Sequence, residues 1–153
     1  MNDDGRVVEL HKQFASEQSK YTYFLLAVAA SCIALAVRST ADAAASWSLV
    51  PLLFAVVFWA YSFLRGLKFI ECSQIATRAN VDHLLFLQGE HPLAGMDLQK
   101  AKYGADQSWN RANELSTAAS KHFTWQFRYL VAGGALYISW HILAIALRTA
   151  PGA

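Results

Sequence analysis

The chain has 153 residues, enough for one unit and too few for two comfortable ones, and its formal net charge of +2 is too small to point to nucleic acid. It is 55% hydrophobic and only 16% charged, with five Trp, six Tyr and nine Phe, so it is more apolar than a soluble domain of this size accommodates. The excess lies in three uncharged blocks, which sets the expectation of an all-α integral membrane protein with three transmembrane helices.

Residues 1–20, "MNDDGRVVELHKQFASEQSK", read as a cytoplasmic amphipathic helix. Val7, Leu10, Phe14 and Tyr21 recur at helical spacing with His11 beside them, and no Gly or Pro occurs from Arg6 to Val37. The first span, 21–37, follows without a break and is closed by Lys20 and Arg38. At 1.5 Å per residue it is roughly 25 Å long, the short end of what crosses a hydrocarbon core. "ADAAAS" resembles a signal-peptide cleavage site, but the twenty residues before the span are acidic as well as basic and too long for an n-region.

"STADAAAS", 39–46, is then a tight outer connection, and 47–64 the second span, ending at Arg65. From Leu52 to Gln88 the only breaker is Gly66, so the second span is expected to continue as a long helix that buries Ile70, Ile75, Ala79, Phe86 and Leu87. "GEHPLAG", 89–95, is a turn in which Glu90 and His91 read as exposed and unpartnered. Asp97 caps the third helix, along which Ala105, Trp109, Ala112, Ser116, Ala119 and Phe123 repeat in a 4-3 pattern that permits close packing. Residues 65–128 thus form a cytoplasmic antiparallel hairpin from the extended second and third helices. "HFTWQFRY", 122–129, is the interfacial anchor of the third span, 129–147, with Arg128 towards lipid headgroups.

Orientation follows from the basic residues. Arg6, Lys12 and Lys20 precede the first span and eight more lie between the second and third, whereas only Arg38 and Arg148 fall on the other side. This places the N-terminus and hairpin in the cytoplasm, the C-terminus outside, and the protein in a cell inner membrane. Cys32 and Cys72 sit at different depths, so no disulfide is expected.

The spans contain no Asp, Glu, Lys or Arg, which disfavours coupled transporters and pumps. His141 is the one clearly ionisable side chain within a span. It is a candidate haem ligand, proton relay or pore lining, with a neutral ring bonded to a carbonyl, Ser139 or Tyr137 as the structural alternative. A haem between spans takes two axial His and no other span offers one, so no cofactor is expected. Gly133, Gly134, Ala30 and Ala34 would let helices approach closely, within the chain or between copies. Three helices enclose no conduit, so a pore requires several subunits, with His141, Ser139, Gly133 and Gly134 as its lining or gate.

"RANVDH", 78–83, carries Arg78 and His83 with four residues between them. This resembles the R-x4-6-H motif of HEPN-type ribonucleases, also noted in small membrane accessory proteins of CRISPR loci that take part in antiviral defence. The resemblance implies a metal-independent site in which Arg78 holds a phosphate and His83 moves protons, completed by a second copy. "RVVELH", Arg6 to His11, has the same spacing. The structural alternative pairs Arg78 with Asp82 on the helix surface and lays His83 against the hairpin partner, the two residues being about 140° apart around one helix.

No P-loop, dinucleotide-binding glycine pattern, zinc-ligand cluster or nucleophile elbow is present, so the chain is not expected to be an enzyme. The expected function is a self-associating pore or channel-like membrane protein with a cytoplasmic region that senses or binds a protein partner. The alternative is a non-catalytic subunit or anchor of a larger membrane complex.

Overall fold

The computed structural model describes residues 3–40, 47–93 and 97–149, with the side chains of 3–15, 48 and 147–149 outside the description. The fold is all-α: α1 spans Asp3–Ser39, a 3-10 turn covers Trp47–Leu49, α2 spans Val50–Gln88 and α3 spans Leu98–Thr149. Each helix contains a stretch long and apolar enough to cross a membrane. The uninterrupted courses read from the sequence are all present. Most of the outer connection, the end of the 89–95 turn and the N-terminal apolar stripe lie outside the described residues.

Helix ends follow local chemistry. Asp97 Oδ1 accepts from the Gln99 and Lys100 amides at 3.0 and 3.2 Å, satisfying donors that the first turn of α3 leaves open. α2 stops at Gly89, whose φ of 73° suits a residue without a side chain. There the Glu90 amide bonds to Leu85 O and the Gly89 amide to Phe86 O, the paired closure of a helix C-terminus. Pro51 lies in the first turn of α2, where its missing N–H costs no helical bond.

The chain divides into two compact units, Met1–Gly66 with Thr124–Ala153, and Leu67–Phe123. In the first unit three helices meet around Leu25, Leu26, Ala29 and Ala36 of α1, Leu52, Ala55 and Trp59 of α2, and Gly133 of α3. Gly133 permits close approach: a Cβ there would lie 2.6 Å from Trp59 Nε1 and 3.1 Å from Ala55 O. One layer of this core is polar. Thr22, Ser62 and Gln126, one from each helix, are fully buried. Ser62 donates to the Gln126 main-chain oxygen at 2.8 Å and Thr22 to Gln18 O at 3.0 Å, but neither atom of the Gln126 amide has a partner. Gly66 makes the room for that amide, since a Cβ there would lie 2.5 Å from Gln126 Nε2.

In the second unit α2 and α3 run antiparallel along an alanine seam. Ala76 and Ala79 of α2 and Ala105, Ala112 and Ala119 of α3 are buried, and Phe69 meets Phe123 with ring centroids 5.6 Å apart. The seven-residue spacing on α3 is therefore as expected, and of the intervening positions Phe123 packs on Phe69, whereas Trp109 is 50% exposed and Ser116 is exposed too. On α2, Leu87 is 64% exposed, Ile70, Ile75 and Phe86 are half-buried, and Phe69 and Ala76 take the inner places. Helices in contact through alanines approach so closely that larger side chains are displaced to the edges of the seam. Ala112→Leu at the 2%-exposed middle position should destabilise this unit by about 1–3 kcal/mol, measured as increased amide exchange over 67–123.

Candidate functional site

Arg78 and His83 share α2 but do not converge. His83 donates from Nδ1 to the Ala105 carbonyl oxygen at 2.8 Å, a group that can only accept, and its ring lies 5.3 Å from that of Trp109. It packs the hairpin, as the structural alternative holds. The other half of that alternative fails, because Arg78 makes no ion pair with Asp82. The carboxylate of Asp82 lies 3.9 Å from His91 Nε2 instead. His91 is correspondingly not the unpartnered loop residue the sequence suggested. Its ring stacks on Phe86 at 3.7 Å and 15°, and its Nδ1 accepts from the Leu93 amide at 3.2 Å.

Arg78 faces an open groove of about 340 Å³ lined by Ile75, Arg78, Ala79 and Asp82 of α2 and by Gln107, Ser108 and Arg111 of α3. Elsewhere in this unit two lysines are engaged by carboxylates, while Lys102 and Lys121, like the groove arginines, are not. Lys68 donates to Glu71 at 2.7 Å, a bond that raises its pKa, and Lys100 lies 3.5 Å from Asp97. Among the described residues neither Arg78 nor Arg111 has an ion pair or hydrogen bond. The second RVVELH pair, Arg6 and His11, lies among side chains outside the description.

In the first unit the four residues named for a pore separate. Gly133 packs inward against Trp59, and Ser139 bonds back to Ala135 O at 2.9 Å on an exposed face. Gly134 has nothing within 4 Å of where a Cβ would stand. His141 is exposed on the outside of the bundle and, among the described residues, has no hydrogen bond and only its neighbour Trp140 in ring contact, at 6.2 Å. Neither Ser139 nor Tyr137 bonds to it: Tyr137 instead packs between Trp59 and Trp140, at 5.7 and 5.6 Å. Being seven residues apart, Gly134 and His141 lie within about 20° of each other around α3. Exposed Ile138 and Ile145 stand beside them. His141 lies thirteen residues from Arg128 and seven from Arg148, about 20 and 10 Å, which puts it in the C-terminal third of the apolar run.

Ala30 and Ala34 are likewise exposed rather than packed within the bundle. At the other end of the span an aromatic cluster gathers. Tyr129 stands 5.8 Å from Phe58 and from Tyr61 and 5.5 Å from Trp125, and Arg128 lies over the Trp125 ring at 5.2 Å. Amphipathic rings with a guanidinium at a span border suit a membrane interface. Among the described residues no group of three His, Cys, Asp or Glu is placed to hold a metal ion. Comparison with family models, with curated proteins and with solved structures finds no match to this chain.

Proposed function

We propose that this membrane protein self-associates through the flank of α3 that carries Gly134 and His141, and that the assembled spans form or gate a passage. The observation that carries the reading is His141, an ionisable ring inside an apolar run, directed out of its own bundle with no partner there. Hydrocarbon gives such a group nothing to bond to, so a neighbouring copy or a wetted lumen is its natural surrounding. The open notch at Gly134 lets another helix approach that flank closely. α3 has surface to offer, because only 6% of its most apolar stretch is buried, against 28% for each of the other two spans. In this reading the N-terminus and hairpin face the cytoplasm, where the hairpin meets a partner, and His141 stands towards the outer mouth.

The test is release of potassium from phosphatidylcholine vesicles containing the purified protein. The wild type should collapse an imposed potential. His141→Leu should lower the rate about tenfold, the scale of one lost polar contact between membrane helices, with helicity unchanged. Vesicles that hold their potential with a monomeric protein present would favour a subunit or anchor of a larger complex instead.

A further inference from the structure

We propose that the groove between α2 and α3 is a binding site for a small phosphate-bearing ligand, held by Arg78 and Arg111. Two guanidiniums from facing helices border one concavity, and neither has a carboxylate partner. Both bring positive charge to the same groove, which favours an anion there. Guanidinium forks match the oxygens of a phosphate with paired, charge-assisted hydrogen bonds.

The surrounding residues fit that use. Ser108 makes no hydrogen bond of its own, so its hydroxyl is available to an oxygen of the ligand. Gln107 donates to Tyr103 Oη at 2.7 Å, which fixes its amide at the rim and leaves a second N–H free. Ile75 and Ala79 supply an apolar wall, so the remainder of the ligand has a surface to lie on. At about 340 Å³ the groove has the size of a small-molecule site.

The one acidic residue lining the groove does not pair with Arg78. Asp82 is four residues from Arg78, the spacing of a helix ion pair, yet its carboxylate is turned to His91. His91 is fixed for this by its stack on Phe86 and by the Leu93 amide. Asp82 thus stands beside His91 rather than in an ion pair with Arg78, and its carboxylate can accept from a hydroxyl or amine on the ligand. His83 takes no part, being committed to Ala105 and Trp109, so the site binds without a proton-transfer group of its own.

The experiment is calorimetric titration of the full chain in phosphatidylcholine discs with inorganic phosphate and with adenosine monophosphate. A parallel arm uses discs containing a phosphoinositide and no nucleotide. Saturable binding should weaken at least about tenfold in Arg78→Ala and in Arg111→Ala, and Arg111→Lys should recover part of it. Asp82→Asn should tighten inorganic phosphate about threefold by removing the one negative charge, a gain that a purely structural residue would not give. Since both arginines are exposed and unpaired, melting of the variants should match the wild type. Arginine-dependent binding in the soluble arm supports a free phosphate compound, and the same dependence confined to the phosphoinositide discs supports a headgroup on the same site. Absence of saturable binding in both arms, or binding indifferent to both arginines, overturns the proposal.

Discussion

Gly133→Leu should unseat the three-helix bundle, whereas Gly134→Leu, one residue on, should leave it standing and abolish self-association. At 133 the new side chain meets the Trp59 indole and the Ala55 carbonyl. The indole cannot withdraw freely, because it is almost fully buried and its Nε1 donates to Leu130 O at 3.3 Å. With backbone among the obstacles the helices must part, at a cost of about 3 kcal/mol. At 134 a Cβ meets open space, and replacing a helical Gly recovers up to about 1 kcal/mol of propensity. The bundle should therefore melt at or above the wild-type temperature, as followed by near-ultraviolet circular dichroism of the tryptophans. The same bulk would stand in the notch where another copy's helix is proposed to dock. Equal melting losses in both variants would contradict this division between an inner and an outer glycine.

Gln126→Leu should stabilise the bundle by about 1–3 kcal/mol, the cost released when a buried polar group without partners is replaced by an apolar one of similar size. Its amide is fully buried with neither atom bonded, while the Ser62 hydroxyl bonds to the backbone of residue 126 and survives the change. Leu also fits the space that Gly66 leaves open. Gln126→Ala should act in the opposite sense, losing about 2–4 kcal/mol, since it leaves a cavity. Chemical or thermal unfolding in discs distinguishes the two. If Gln126→Leu proves the less stable protein, the amide has a partner in the membrane, such as a buried water, and the layer is bonded throughout.

Long-range order along the helices was legible in the sequence, and exchange between helices was not. The absence of Gly and Pro between Arg6 and Val37 was enough to give one α1 helix, and Asp97 was enough to start α3. The alanines at 105, 112 and 119 lay within the 4-3 pattern read along α3, and the same seven-residue step leads on to Gln126 and Gly133, both buried. Following that step would have found Gln126, which was passed over because it sits in an aromatic run read as an interface. Trp109 and Leu87 were misplaced because a period gives the direction of a side chain, but not the width of the seam it faces. The Arg78–Asp82 pair failed for a different reason. A turn closed at Gly89 brings His91 back onto Phe86 and beside Asp82, a contact that helical spacing cannot contain. His141 stood out in the sequence as the clearly ionisable residue of the spans, but its direction away from its own bundle did not.

The most direct test of the account is the mass and symmetry of the purified protein in native-like lipid discs, by native mass spectrometry and particle imaging. The account predicts a closed assembly of several copies with the Gly134 and His141 flank of α3 turned to its neighbour or to the axis, and a monomer for Gly134→Leu. A wild-type monomer, or an assembly in which that flank faces lipid, would contradict it.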